Sequence, residues 1–200
     1  MGGGFIAVTA RNYVTFANDL ARLRDGDLDA IGTLMSAYQH RLYRYLLRIV
    51  RQPATAEDLF QQTWLRVMER ISSYDPQRNF EGWLFSLAHN LAIDHLREYR
   101  PESLDEQLPS GDTFAAVLEG ADQGGLEMLL ARERAGLLVE VLQDIPVVFR
   151  EVISLRFEED MKLQEIADVL GVPLPTVKTR LHRGLLSLRR LLTDKLVVRN

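Results

Sequence analysis

The residues best suited to chemistry lie near the C-terminus, on one side of a helix predicted to start near Pro175. Hydroxyl, cationic and imidazole groups share that side: Thr176, Lys178, Thr179, His182, Arg183 and Arg190. Apolar residues such as Val177 and Leu188 share the other side, at helical spacing. A helix of this kind can pack by one side while the other donates to base edges in the DNA major groove and meets phosphates. A solvated basic helix has the same spacing, so the pattern alone leaves both interpretations open.

A second, shorter helix is predicted just before this one. Leu163, Ile166 and Leu170 recur at helical spacing, and Gly171 suits the left-handed turn that ends a helix. The two helices together predict a helix-turn-helix. No Asp or Glu occurs from 171 to 193, which favours DNA as its ligand.

Another polar stripe lies on a helix predicted from Phe80 to about Arg97. It consists of Trp83, Ser86, Asn90 and Arg97, beside an apolar side. A ring, an amide and a cation can stack on, hydrogen-bond to and neutralise a melted DNA strand, with stacking contributing roughly 1–3 kcal/mol per base. Trp83 is also large enough to serve the hydrophobic core instead.

Charge is distributed unevenly along these 200 residues, which carry a net charge of −4. Residues 101–131 contain seven acidic side chains and no Lys or Arg, whereas residues 171–200 contain seven basic side chains and Asp194 as the one acid. This separation predicts different partners for different segments.

Helical spacing of apolar residues recurs along the chain, which predicts an all-α fold. A long helix is predicted from Leu28 to Ile49, ending before Pro53, and Thr55 is predicted as the N-cap of the next.

Clustered Pro and Gly divide the chain into segments. We predict an N-terminal extension at 1–18, a helical domain at 19–100, a flexible acidic linker at 101–131 and a helix-turn-helix domain at 132–200. The fold is therefore expected to comprise two small helical domains.

Several function classes are excluded or disfavoured by composition. The chain has no cysteine, which excludes disulfides and thiolate metal sites. Its four histidines lack metal-ligand spacing, and it has no Gly-rich phosphate loop and no nucleophile elbow, so we expect no enzyme activity, cofactor or metal. Neither a run of ~18 apolar residues nor the features of a signal peptide occur, so we expect a soluble, cytoplasmic protein.

Two sets of motifs resemble one known family. The runs DIPVVFREVISLRF from Asp144, LQEIADVLGVP from Leu163 and TVKTRLHRG from Thr176 resemble the domain of bacterial extracytoplasmic-function (ECF) sigma factors that reads the promoter −35 element. The runs AEDLFQQTWLR from Ala56 and FEGWLFSLAHNLAIDHLR from Phe80 resemble that family's polymerase-binding and −10-reading helices. Together they cover about 28–192, in the family's order.

The resemblance implies a role for each set of residues. It assigns four residues to docking on the clamp of the largest subunit of core RNA polymerase: Asp58, Gln61, Gln62 and Leu65. Recognition of the −10 element falls to Tyr74, Gln77, Arg78, Asn79, Trp83, Asn90 and Arg97. Recognition of the −35 element falls to Thr176, Lys178, Thr179, Arg180, His182 and Arg183. It also implies promoter-specific transcription initiation, a regulating anti-sigma factor, and a linker that threads through the polymerase, although a simple tether fits the linker equally.

Two other classes of protein remain as alternatives. A helix-turn-helix regulator that binds an operator explains the C-terminal domain and leaves the motifs from Ala56 to Arg97 without a role. A helical scaffold or an enzyme explains neither set of motifs.

Overall fold

The computed structural model describes residues 18–99 and 140–198, and these form helices and connecting turns without a strand. An N-terminal bundle contains α1 (Ile31–Val50), α2 (Pro53–Arg70) and α3 (Phe80–Tyr99). A C-terminal bundle contains α4 (Val147–Ile153), α5 (Leu163–Leu170) and α6 (Leu174–Val198). Short 3-10 turns occur at Leu28–Ala30 and Ile71–Ser73, a π-helical turn at Ser154–Glu158 continues α4, and residues 18–24 and 140–143 are also helical. The all-α prediction is confirmed.

The N-terminal bundle is held together by apolar faces at helical spacing. Leu42, Tyr45 and Leu46 of α1 are fully buried, as are Leu84 and Phe85 of α3. The Tyr45 and Phe85 rings meet edge to face with centroids 5.2 Å apart. Burying one such side chain stabilises the fold by about 1.5–3 kcal/mol, so this shared face fixes α3 against α1.

The start of α2 differs from the prediction. The helix begins at Pro53, because proline at the first helical position needs no hydrogen-bond partner for its nitrogen. Thr55 is therefore not the N-cap; its hydroxyl donates instead to Oε1 of Gln52, at 3.1 Å.

The C-terminal bundle contains the predicted helix-turn-helix, formed by α5 and α6. Gly171 ends α5 with φ of 62°, as predicted, in the left-handed region that glycine adopts without strain. Gly184 lets α6 approach α4 closely, because a Cβ built there would lie 2.9 Å from Cδ1 of Ile153 and 3.1 Å from Cβ of Phe149. The turn and the close crossing together orient the N-terminal half of α6.

The two bundles pack against each other. One continuous cluster of buried apolar residues includes Leu46 and Leu84 of the first bundle together with Val152, Leu155 and Ile166 of the second. The sequence did not predict this contact.

Parts of the chain fall outside the described residues. Residues 1–17 of the predicted extension, the predicted acidic linker at 101–131 and residues 132–139 belong to this group. Among the described residues, none of the helices combines the length and apolar character needed to cross a membrane, and no cluster of three His, Asp or Glu side chains is arranged to hold a metal.

Candidate nucleic-acid and polymerase interfaces

The residues predicted to read the −35 element occupy the first turns of α6. Thr176, Lys178, His182 and Arg183 are all half-exposed there. The Thr179 hydroxyl donates to the carbonyl oxygen of Pro175 within its own helix, at 3.0 Å. The N-terminal part of α6 thus presents cationic and hydrogen-bonding groups close together on its surface.

Arg180 of the same set is engaged inside the fold. Its Nη1 lies 3.0 Å from Oε1 of Glu151 on α4, and its side chain is 16% exposed. The structure therefore uses Arg180 to fix α6 against α4, and its predicted DNA contact stays a prediction.

Glu151 was not identified from the sequence, since it is one acid within an apolar run. Its carboxylate is 2% exposed and lies between Arg180 and His89, with Oε2 3.5 Å from Nδ1 of His89. Burial raises the pKa of Glu151 to about 8, against the opposing effect of Arg180 and Arg150. Burial, reinforced by Arg180, lowers the pKa of His89 to about 4. His89, Glu151 and Arg180 therefore form a buried cluster of ionisable groups that joins α3, α4 and α6.

Tyr74, which the resemblance assigns to the −10 element, is buried in this structure. Its hydroxyl donates to the carbonyl oxygen of Arg78, and its ring lies 5.0 Å from that of Trp83 and 5.7 Å from that of Phe80, measured between centroids. Tyr74 therefore supports the loop that leads into α3. Its predicted contact with a base stays a prediction.

The loop before α3, which the resemblance also assigns to the −10 element, is exposed at Gln77, Arg78 and Asn79. The Asn79 Oδ1 accepts a hydrogen bond from the backbone N–H of Glu81, at 3.0 Å, as an N-cap does. Asn79 thus starts α3, a role that sequence reasoning missed, although Asn directly before an apolar helix is a capping signal.

A cleft of about 590 Å³ borders the predicted −10 residues. Arg78, Asn79, Trp83 and Ser86 form one wall, and Glu165 and Asp168 of α5 form the other. Trp83 is half-buried, so its ring both packs on Tyr74 and reaches the cleft.

Two further predicted −10 residues lie beyond the cleft on α3. Asn90 is exposed, and so is Arg97, which pairs with Asp94 at 3.6 Å. The structure therefore brings the loop and Trp83 together at the cleft and leaves Asn90 and Arg97 outside it.

The predicted polymerase-docking residues share one exposed face of α2. Asp58, Gln61, Gln62 and Leu65 recur at helical spacing and are all exposed, while Leu59 is buried on the opposite side. Leu65 is an apolar side chain that is 53% exposed. An exposed apolar side chain beside polar ones can contribute to a protein-binding surface.

Comparisons with known proteins identify this arrangement. The family model "Sigma-70 region 2" matches residues 34–102, and "Sigma-70, region 4" matches residues 141–190. The ECF RNA polymerase sigma factor SigW of Bacillus subtilis is 30% identical over 178 residues, which cover 88% of this chain and 95% of SigW. The chain is a member of the ECF sigma factor family. Like the family, this sigma factor binds RNA polymerase and directs transcription initiation at particular promoters.

Two solved structures share the fold of this sigma factor. One is CnrH in complex with the cytosolic domain of CnrY, with a TM-score of 0.63 and 23% identity, covering 90% of this chain and 98% of that chain. The other is the sigma factor RpoE in complex with the anti-sigma factor NepR from Bartonella quintana, with a TM-score of 0.61 and 20% identity, covering 83% and 98% respectively.

Proposed function

We propose that the N-terminal bundle captures the −10 element as a single strand. The support is the cleft beside α3, where the Trp83 ring, the Ser86 hydroxyl and the Asn79 amide lie together. Aromatic faces accept an unpaired base by stacking, and the neighbouring polar groups can hydrogen-bond to its edge. Gln77 and Arg78 in the exposed loop would influence which base enters, and Tyr74 would support that loop.

The strand continues along α3 in this proposal. Asn90 and Arg97 are exposed beyond the cleft, where an amide and a cation can contact the sugar-phosphate backbone.

The C-terminal bundle would read the −35 element as duplex. Thr176, Lys178, Thr179, His182 and Arg183 on the first turns of α6 enter the major groove, with Lys178 donating to guanine acceptors. Arg180 would act as a positioning residue, since its pairing with Glu151 fixes the angle of α6.

Core polymerase would dock on the exposed face of α2. Leu65 would supply an apolar contact, and Asp58, Gln61 and Gln62 would supply polar contacts in the preceding turns of the same face. The clamp of the largest polymerase subunit is the expected partner.

The chain itself would catalyse no reaction, since the polymerase carries out the chemistry. The chain would act in the cytoplasm, beside the chromosome. An anti-sigma factor is a further expected partner, because two proteins of the same fold are solved with CnrY and with the anti-sigma factor NepR.

The observation that carries this proposal is the placement of three candidate surfaces on three different helices. The proposed docking face is on α2, the proposed −10 surface borders the cleft beside α3, and the proposed −35 face is on α6. An operator-binding regulator needs the last of these surfaces alone.

The test is a separation of functions. Leu65→Asp should weaken binding to core polymerase and leave binding of −35 duplex DNA unchanged. Lys178→Ala should do the reverse, costing about 1–3 kcal/mol of specific DNA binding. Glu69→Ala, on the same exposed helix as Leu65, is the matched control. If Leu65→Asp binds polymerase as well as Glu69→Ala does, the docking face is wrong; if Lys178→Ala leaves DNA affinity unchanged, the −35 assignment is wrong.

A further inference from the structure

The side of α6 that carries the proposed −35 residues continues beyond them with an exposed leucine. Leu186 lies four residues after His182 and three after Arg183, so it shares their side of the helix. Its side chain is 53% exposed. Leu188 and Leu192 of the same helix are buried in the apolar cluster that α6 forms with α4. Leu186 therefore lies outside the core contact of α6, on the side proposed to face DNA.

Basic and imidazole groups occupy the neighbouring positions around Leu186. The residues three and four positions before and after it are His182, Arg183, Arg189 and Arg190. The first two are half-exposed and the last two are exposed. Within the part of the chain that the structure describes, the ion pairs of α6 involve Arg180 and Lys195, and none involves these four side chains. An apolar group is therefore framed by cations that no described carboxylate neutralises.

The length of α6 allows this part of the helix to reach DNA. A rise of 1.5 Å per residue puts Leu186 about 12 Å beyond Lys178 along the helix axis. Base pairs follow one another at about 3.4 Å, so this distance corresponds to about three to four base pairs. The major groove admits an α-helix. A helix that lays Lys178 in the groove therefore brings Leu186 towards a base pair further along.

The chemistry of a leucine selects among the four bases. In the major groove, base edges offer hydrogen-bond donors and acceptors, and thymine adds an apolar C5-methyl group. Leucine cannot replace the hydrogen bonds that a polar edge makes to water, so covering such an edge is unfavourable. Contact with the thymine methyl instead removes apolar surface of both partners from water. Leu186 is thus suited to thymine.

We propose that Leu186 reads the methyl group of a thymine in the −35 element, about three to four base pairs from the base that Lys178 contacts. Arg189 and Arg190, one turn further along, bind the phosphates beside that thymine. They hold the helix over the groove and carry no sequence preference themselves. This inference rests on the −35 face proposed above and adds a specificity-determining residue to it.

The first experiment selects sequences with the full chain bound to core polymerase. A promoter found by run-off transcription is randomised in its −35 region, and the fragments that the complex retains are sequenced. Leu186→Ala should lose the preference for thymine at one position and keep the others. Leu186→Met, which remains apolar and of similar size, should keep that thymine. Lys178→Ala should lose a different position, about three to four base pairs away.

The second experiment removes the methyl group from the DNA. Deoxyuridine replaces the selected thymine, and binding of the duplex by the polymerase complex is measured. The unmodified chain should bind about fourfold more weakly, the factor that corresponds to about 0.8 kcal/mol for one buried carbon group. Leu186→Ala should show no further loss. Deoxyuridine at thymines outside the selected position is the matched control and should leave binding unaltered.

The two arginines have a separate readout. Arg189→Gln with Arg190→Gln should weaken binding without altering the selected sequence. The dependence of the logarithm of affinity on the logarithm of salt concentration should become shallower by about two. An unchanged salt dependence would overturn the phosphate contacts.

Three results would overturn the role of Leu186. One is an unaltered thymine preference in Leu186→Ala, and another is an equal response of the unmodified chain and Leu186→Ala to deoxyuridine. The third is weaker binding of Leu186→Ala to core polymerase with the same selected sequence, which would assign Leu186 to a protein contact. Failure of the unmodified chain to select any −35 sequence would instead remove the −35 face itself, and Leu186 with it.

Discussion

Nη1 of Arg150 donates to the backbone carbonyl oxygen of Arg48, at 2.5 Å, and joins two like-charged residues from opposite bundles. Arg48 lies in the last turn of α1, whose final carbonyl groups lack partners within the helix. Arg150 is 4% exposed, and its Nη2 also donates to the carbonyl oxygen of Ile145, at 2.8 Å. A cation at the negative end of a helix is favourable, so one guanidinium both satisfies carbonyl groups and complements the helix dipole.

Replacement of Arg150 should loosen the contact between the bundles. Arg150→Ala leaves buried carbonyl groups without a donor, at a cost of about 1–3 kcal/mol in the free energy of unfolding. Chemical denaturation of the full chain measures this loss. Arg190→Ala, at an exposed position of α6, is the control and should stay within about 0.5 kcal/mol of the unmodified chain. Equal stability of the two variants would show that the Arg150 contact contributes nothing.

The buried Glu151 predicts a pH dependence of stability. Its pKa is raised from 4.5 to about 8, so the folded chain holds a proton that the unfolded chain releases, and stability is lost as the pH rises towards 8. The pKa of His89 is lowered from 6.5 to about 4, so its contribution is present above pH 6.5 and is lost as the pH falls. Below pH 6.5, a rise in pH lowers the stability through Glu151 and raises it through His89. Between about pH 6.5 and 8, only the loss of stability through Glu151 remains.

Glu151→Gln isolates these two effects. The unmodified chain should lose stability between pH 6.5 and 8, by at most about 1.4 kcal/mol per pH unit. The variant should lack that slope and retain the loss caused by His89 below pH 6.5. Urea denaturation across this pH range is the measurement, and an unaltered slope in Glu151→Gln would assign the pH dependence to another group. The groups that face Glu151 from the other helices are His89, Arg180 and Tyr45.

Asn79 should contribute to stability and to DNA binding through different atoms. Asn79→Ala removes the cap on Glu81 and should lower the free energy of unfolding by about 1 kcal/mol. Asn79→Ser keeps a capping oxygen and should restore that stability, but it lacks the amide that would contact a base. Binding of single-stranded DNA by the Ser variant then reports the loss of the amide, and Glu165→Gln, which keeps an oxygen that can accept from the Asn79 amide, is the control for the contact between Asn79 and Glu165. Full affinity in Asn79→Ser would remove this residue from the −10 set.

A branched side chain at Gly184 should destabilise the chain. Gly184→Val places its branched carbons against Ile153 and Phe149, and overpacking of this kind costs about 1–3 kcal/mol. Gly32→Val is the matched control, because it introduces the same side chain within a helix but into open space, and it should stay within about 0.5 kcal/mol of the unmodified chain. Thermal denaturation compares the two. A stabilised Gly184 variant would mean that α6 does not cross α4 closely.

Much of the local structure could be predicted from the sequence because it depends on neighbours along the chain. The apolar spacing of α5 and the glycine at 171 specify a helix and its end within a few residues. The predicted start of α2 was wrong because Pro53 and Thr55 are both helix start signals, and the helix begins at the proline.

The contact between the bundles could not be predicted for the opposite reason. Arg41 and Glu159 are 118 residues apart, and each alone has the character of an ordinary solvated surface charge. The burial of Glu151 and Arg150 likewise depends on residues from distant helices. Such pairings follow from tertiary packing, for which spacing along the chain carries no signal.

The central claim is that this chain supplies promoter specificity to RNA polymerase. Its most direct test is run-off transcription by bacterial core polymerase on a library of promoter fragments, with and without the chain. We predict initiation at a distinct set of promoters only when the chain is present, and the shared sequences of that set would give its −35 and −10 elements. DNA binding that neither requires polymerase nor redirects its initiation would contradict the account and identify an operator-binding regulator.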